Sequence, residues 1–205
     1  TAAADATQAG HYRAQIVPVK THSANVTDDN SVRPDTSVEK LARLKPVFDK
    51  QNGVITAGNA SRFTDGAGAV LLGALGQVQA RGLQPLDIVR DYILAGVNKL
   101  ETEMLLGPAL TIPKLLARNQ LSFDDIGAWE IHEAFATQVL INRNCMASPD
   151  FIRQRFGEGT PSGEIPLEKL NAWGGSLALG NPFAATGVRL LHTAAQRMQA
   201  ENQRY

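Results

Sequence analysis

The segment Glu130-Ile-His-Glu-Ala-Phe-Ala136 sets an imidazole beside a carboxylate where a strand pattern gives way to a helix pattern. The first N–H groups of a helix have no intrahelical partner, and the positive end of its dipole lies there. His132 and Glu133 are therefore expected where a developing oxyanion can be stabilised, the generic requirement of acyl transfer. Two glycine-rich segments could build the rest of a site. Thr56-Ala-Gly-Asn-Ala-Ser-Arg-Phe-Thr-Asp-Gly-Ala-Gly-Ala69 offers exposed backbone and the Ser61 hydroxyl to the wall of a ligand tunnel. Asn171-Ala-Trp-Gly-Gly-Ser-Leu-Ala-Leu-Gly-Asn-Pro-Phe-Ala-Ala-Thr-Gly-Val-Arg189 carries glycines that allow tight turns and close backbone approach. Each segment also has a plain structural reading. Residues 56–69 fit a loop entering a buried strand, Glu133 fits a helix cap beside a half-buried histidine, and residues 171–189 fit a glycine turn set by packing.

The elements that must position these residues alternate between strand and helix patterns. A helix over 1–8 stops near Gly10, a short strand follows at 14–19, and 21–35 is a polar loop. Thr36 or Ser37 caps a short helix that is expected to carry Val38, Leu41 and Leu44 inward and to end at Pro46. Residues 66–72 suit a buried strand, and 75–81 a helix closed by Gly82 and Pro85. Strands at 88–97 and 126–131 then alternate with helices at 108–118 and 134–142. A turn-rich insertion at 144–167, a short strand with a Gly-Gly break at 170–179, and a long helix at 185–203 complete the chain. In that helix Val188, Leu191, Ala195 and Met198 fall on one face. Alternation of this kind indicates a layered α/β fold.

Bulk properties narrow the function. Lys and Arg number 20 and so do Asp and Glu, mixed along the chain, so there is neither a basic stripe for nucleic acid nor an acidic tail. The most apolar run, residues 66–76, is far too short to cross a bilayer as a helix, so no transmembrane segment is expected. Residues 1–10 are small and polar, unlike a secretory signal. Cys145 is the only cysteine, so no internal disulfide forms, which suits a reducing compartment.

Taken together, in this order and spacing, the three segments resemble the thiolase family. Thiolases carry a Thr-Ala-Gly-Asn-Ala-Ser loop, an Asn-Glu-Ala-Phe or His-Glu-Ala-Phe motif, and a Gly-Gly segment leading into Gly-His-Pro. Leu44-Lys-Pro-Val-Phe48 and Gly107-Pro108 match the family too, and the likeness runs over essentially the whole chain. The His-Glu-Ala-Phe form is most similar to long-chain 3-ketoacyl-CoA thiolases and the thiolase subunits of trifunctional complexes. The resemblance implies a layered α-β-α-β-α fold with mixed five-stranded sheets, here incomplete. On that pattern residues 1–59 end the loop domain, 60–83 supply the last strand and helix of the N-terminal half, and 84–205 form the C-terminal domain without its final strand. It implies that coenzyme A serves as substrate with no further cofactor and no metal. His132 would be the oxyanion-hole position, Ala134 and Phe135 would line the acyl-thioester and pantetheine end, and Phe48, Ala57 and Ser61 would contact CoA.

Three departures follow from the same likeness. The nucleophilic cysteine belongs to the N-terminal half of such enzymes, and the second cysteine to a segment after residue 205; Cys145 matches neither motif. The histidine of Gly-His-Pro is replaced by Asn181, which can donate a hydrogen bond but has no proton that titrates near neutrality. The expected function is thiolase-type acyl transfer, with the chain alone inactive and completed by a missing N-terminal thiolase segment. The expected setting is a homo-oligomer or a complex with other β-oxidation enzymes, in the cytoplasm or the mitochondrial matrix. The alternative is an inactive acyl-CoA-binding or scaffold subunit. A ketoacyl synthase on the same general fold accounts less well for the His-Glu-Ala-Phe and Ala-Gly-Asn-Ala-Ser motifs. A strand at 66–72 that is apolar on both faces, with its sheet neighbours absent, would leave the chain prone to associate.

Overall fold

Ala109, Leu116, Phe123, Trp129, Ile131, Met146 and Ile165 close an apolar cluster that organises the second half of the chain. The computed structural model describes all residues from Thr1 to Tyr205. Helices α5 (Gly107–Arg118) and α6 (Ala136–Ala147) pack against each other over that cluster. Buried Asn142 fixes their approach: its carbonyl accepts from Ala109 N at 2.9 Å, and its amide donates to Leu105 O and Gln138 O, each at 2.8 Å. Pro108 stands in the first turn of α5, where its missing N–H costs nothing.

A second cluster joins the two ends of the chain. Helix α1 (Ala2–Ala9) buries Ala3 and Ala6 against Trp173 and Leu179. His11 stacks on the Trp173 ring at 4.1 Å, and the Tyr12 hydroxyl donates to Trp173 O. Gly174 follows at φ 96°, and a methyl group there would lie 2.5 Å from Ala3 Cβ, so only glycine admits this contact.

Between these clusters run β1 (Val19–Lys20), β2 (Asn25–Val26), α2 (Val38–Ala42), α3 (Leu75–Ala80) and α4 (Leu100–Glu103). After α6 come α7 (Pro149–Phe156), α8 (Ser176–Leu179), a 3₁₀ turn at Phe183–Ala185 and α9 (Thr186–Ala200). Several sequence expectations need correction. The strand expected over 14–19 is a set of turns leading into two-residue β1, which pairs only with β2. The stretches 66–74 and 84–97 form no strand, because a ladder needs another strand beside it and none lies alongside here. Strands expected at 126–131 and 170–179 meet in a single parallel bridge, Trp129 to Leu170, after which α8 takes over. The turn-rich insertion contains the end of α6 and all of α7. Ser148 caps α7 by accepting from Phe151 N at 3.2 Å, with Pro149 in the first turn, a start signal legible in the sequence.

Helix α2 begins as expected, with the Ser37 hydroxyl accepting from Lys40 N, but ends at Ala42, well before Pro46. Val38 is 78% exposed because nothing packs on that face, and Leu41 and Leu44 lie against Gly58 at the edge of a cleft rather than in a core. Helix α9 is the longest, but it buries Thr186, Thr193, Ala195 and Arg197, while Leu191 of the expected apolar face is exposed. Hydrogen bonds from its polar stripe to the site decide that orientation.

Val70, Leu71, Leu72, Ile88, Val89, Tyr92 and Leu94 are all exposed. Contiguous apolar surface on unpaired backbone favours association. The 205-residue chain is expected to self-associate at micromolar concentration, with a light-scattering mass above the 22.0 kDa of one copy. A monodisperse monomer with a cooperative thermal transition would contradict this.

Candidate active site

Residues 60–63 gather the three sequence segments through two isolated bridges. Asn59 pins the loop before it: its carbonyl accepts from Thr56 N and its amide donates to Val54 O, both at 2.8 Å. The chain then runs antiparallel to the His-Glu-Ala-Phe segment, with Ser61 N donating to Ala134 O and Ala136 N to Asn59 O, each at 2.9 Å. Ala60 and Phe135 form the bridge. Past Ser61 the chain turns its hydrogen bonds toward the third segment: Asn181 N donates to Arg62 O at 2.9 Å, and Phe63 bridges Asn181 in parallel. Phe48 meets Phe135 edge to face, with ring centroids 6.4 Å apart. Ser61, Ala134, Phe135, Asn181 and Phe48 therefore gather around residues 60–63. Ala57 lies on the wall of a neighbouring cleft of about 500 Å³, whose other lining residues include Leu41, Leu44, Arg33, Lys40 and Arg62. Asp35 lines the cleft too and pairs with Lys40 at 2.8 Å, which leaves Arg33 and Arg62 as the cations that suit an anionic ligand with an organic body.

His132 is half-buried on the other side of the same segment. Its Nδ1 lies 2.8 Å from the Oγ of fully buried Ser176, and Arg189 Nη2 donates to that same Oγ at 2.9 Å. Burial holds the His132 pKa below the ordinary histidine value; Arg189 pushes the same way and Glu133 opposes. The ring is accordingly neutral at neutral pH, with one N–H to donate.

The expected helix N-terminus is not at His132. Helix α6 begins at Ala136, and no side chain caps it. Glu133 instead caps α8 from a distance, its Oε2 accepting from Leu177 N at 3.0 Å, while Oε1 accepts from Asn171 Nδ2 at 2.7 Å. Gly175 makes room for this carboxylate, since a methyl group there would lie 2.3 Å from Oε2. Asn171, at φ 46°, also reads the Ile131 backbone with both ends of its amide, accepting from N and donating to O at 2.9 Å each. Asn tolerates this left-handed conformation better than most residues.

Beneath the site, Glu130 and Arg197 form a buried ion pair at 2.7 Å, their side chains 3% and 1% exposed. Burial raises the Glu130 pKa to about 6, against the opposing pull of Arg197. Asn181 is buried, and its Oδ1 accepts from Thr186 Oγ1 at 2.8 Å. Cys145 lies on α6, half-buried against the core, and burial pushes its thiol up. No group of three or more His, Cys, Asp or Glu side chains converges as a metal site.

The family profile described as thiolase, C-terminal domain, matches residues 83–205, and that described as thiolase, N-terminal domain, matches residues 1–74. The chain belongs to the thiolase family. It is 43% identical over 197 residues to the mitochondrial trifunctional enzyme subunit beta of Mus musculus, covering 96% of this chain and 41% of that protein. It is 41% identical over 208 residues to a probable 3-ketoacyl-CoA thiolase of Caenorhabditis elegans, covering 100% of this chain and 46% of the relative. The chain thus spans less than half the length of these curated relatives. Among solved structures, human mitochondrial 3-ketoacyl-CoA thiolase in complex with CoA superposes with TM-score 0.82 at 29% identity, over 98% of this chain and 46% of that one. The acetyl-CoA acetyltransferase of Bacillus anthracis superposes with TM-score 0.80 at 32% identity, over 98% and 47%. The α/β thiolase fold is therefore present, although its only ladder is β1–β2.

In this thiolase chain the structure brings Phe48, Ser61, Ala134, Phe135 and Asn181 around residues 60–63, with Ala57 in the adjoining cleft and His132 in the His-Glu-Ala-Phe segment. Sequence reasoning gave no role to Asn171, Ser176, Arg189 or Arg197. Their signal was only that polar residues fell among glycines and on a helix face assigned by its apolar residues.

The raised pKa of Glu130 has a defined consequence for stability. A folded-state pKa near 6 exceeds the ordinary Glu value of 4.5, so its contribution to stability is full below about pH 4.5 and is lost as pH rises through 6. The loss is about 2 kcal/mol, since a tenfold change in proton affinity corresponds to about 1.4 kcal/mol. The unfolding free energy of the parent protein relative to Glu130→Gln, read from urea titrations, should therefore fall by that amount between pH 4.5 and 7.5. A constant difference would place the carboxyl at its ordinary value.

Proposed function

We propose that this chain takes part in thiolase-type acyl transfer between coenzyme A thioesters, as 3-ketoacyl-CoA thiolysis or the reverse Claisen condensation. The observation that carries this reading is the segment at 60–63, hydrogen-bonded at one end to the His-Glu-Ala-Phe segment and at the other to Asn181. CoA occupies the cleft beside Ala57, where Arg33 and Arg62 suit its phosphates. Phe48, Ser61, Ala134 and Phe135 contact its pantetheine, and neutral His132 donates its N–H toward the thioester oxygen. The likeness to a thiolase crystallised with CoA supports this assignment. Coenzyme A is the substrate, with no separate cofactor.

The one thiol of the chain is held against the core with a raised pKa, so Cys145 is not the nucleophile. The nucleophilic cysteine comes from an N-terminal thiolase segment outside these 205 residues, and the isolated chain is inactive. Within the fold, residues 1–59 end the loop domain, 60–83 close the N-terminal half and 84–205 belong to the C-terminal domain. The name of the mouse relative supports work within a larger β-oxidation assembly, in the mitochondrial matrix or cytoplasm. No helix is long and apolar enough to cross a membrane.

Ser61→Ala and Phe48→Ala should each weaken CoA binding by roughly tenfold, the loss of one hydrogen bond or one buried ring face. Calorimetric affinities unchanged in both variants would reduce the Thr-Ala-Gly-Asn-Ala-Ser loop to a structural role.

Asn181 favours a second reading. Its Oδ1 accepts from Thr186 and its N–H groups can donate, but an amide does not take up a proton near neutrality. A site without that base fits an acyl-CoA-binding or scaffold subunit. In the complete enzyme Asn181→His should raise turnover by about a hundredfold if acyl transfer is the function. No gain, with CoA binding intact, would select the scaffold.

A further inference from the structure

We propose that Ser176 and Arg189 are positioning residues that fix His132 as the tautomer protonated on Nε2, so that its one donor is set before substrate arrives. This rests on the acyl-transfer reading above and assigns how its oxyanion donor is prepared. Arg189 can only donate, so its hydrogen bond occupies a lone pair of Ser176 Oγ and leaves the hydroxyl proton to find an acceptor. Ser176 is fully buried, and its only other side-chain partner is His132 Nδ1, at 2.8 Å. If Nδ1 carried the proton, Oγ would accept twice and its own hydrogen would be stranded in the interior, which costs about 1–3 kcal/mol. The hydroxyl therefore donates to Nδ1, and the neutral ring carries its hydrogen on Nε2.

Arg189 has no carboxylate partner of its own. Its Nε and Nη1 are buried without hydrogen bonds, and Ser176 is the side chain it holds. The charged groups that act on the ring are Arg189 from α9, which favours the neutral form, and Glu133 on its own segment, which opposes it. Glu133 in turn is tied to Asn171 and to Leu177 N, so its charge is largely spent on fixed donors. The arrangement runs guanidinium to hydroxyl to imidazole, and the last N–H faces away from Ser176.

Two-bond ¹H–¹⁵N spectra of the imidazoles test this in the folded protein, in solution or by magic-angle spinning if its assemblies are large. His132→Asn assigns the signal among the four histidines. The parent protein should give an unprotonated Nδ1 and a protonated Nε2. Ser176→Ala should yield a tautomer mixture, and Arg189→Gln should raise the titration midpoint of the ring. In the complete enzyme Ser176→Ala should lower kcat by about tenfold with KM unchanged, and have no further effect once His132 is replaced. A parent ring protonated on Nδ1, or a tautomer and midpoint unchanged in a folded Ser176→Ala protein, would overturn the proposal. If Ser176→Ala does not fold, the parent spectrum decides alone. CoA binding at the Ala57 cleft, measured on the same sample, separates the two readings: its absence removes the acyl-transfer function and leaves the tautomer assignment to stand or fall by the spectrum.

Discussion

The carboxamide of Asn171 is the joint on which the site depends. Its oxygen takes the Ile131 N–H, and its nitrogen serves both Ile131 O and Glu133 Oε1. Glu133 is thereby fixed with Oε2 free to take the Leu177 N–H at the start of α8. The first residue of α8 is Ser176, which holds His132. The chain of contacts thus returns to the residue next to the one where it began. An aspartate at 171 would set carboxylate against carboxylate and lose both donors. A leucine would strand buried polar groups at about 1–3 kcal/mol each.

Below that joint, the ladder that would normally hold neighbouring strands is reduced to one bridge, and a buried guanidinium makes up part of the difference. Arg197 donates to Trp129 O at 3.2 Å and to Lys169 O at 3.1 Å, one carbonyl from each bridged segment, and to Glu130 and Glu201 with its remaining N–H groups. Burying a charge this deeply is costly unless every donor is used. Here each guanidinium nitrogen has at least one acceptor, and the gain is geometric. Helix α9 is locked to both bridged segments, which puts Arg189, two turns earlier, at Ser176. The same lock explains why the buried stripe of α9 is polar.

What could be read from the sequence follows from locality. The starts of α2 and α5 and the stop of α1 at Gly10 depend on caps, proline and glycine a few residues apart, and they stand where the spacing put them. The motifs around Ser61, Phe135 and Asn181 were recognisable as a set, and the structure pairs them. Burial and strand pairing are different in kind. Whether residues 66–74 or 88–97 form strands depends on what lies beside them, and their own side chains do not contain that information. The inward face of α9 was assigned from Val188, Leu191, Ala195 and Met198, yet hydrogen-bond demands from residues scattered between Gln15 and Lys169 rotated it. Nor could Asn171, Ser176 and Arg189 be singled out, because none is unusual until Glu133 and His132 are seen to need partners.

The position of His132 changes the electrostatic account of the site. A helix N-terminus would have offered a partial positive charge and unpaired N–H groups, and the sequence placed His132 there. In the structure the helix starts at Ala136, so the positive charge near the ring comes from Arg189 and reaches it through a hydroxyl. The two arrangements act differently on a substrate. A helix terminus would act on an oxyanion directly, whereas burial, helped by a guanidinium behind the imidazole, favours the neutral ring, which under the proposed function would meet the oxyanion with a single N–H. In the proposed acyl transfer a neutral donor is weaker than an imidazolium, but burial and Arg189 both oppose its protonation. It also releases no proton into a site where Asn181 could not take one up.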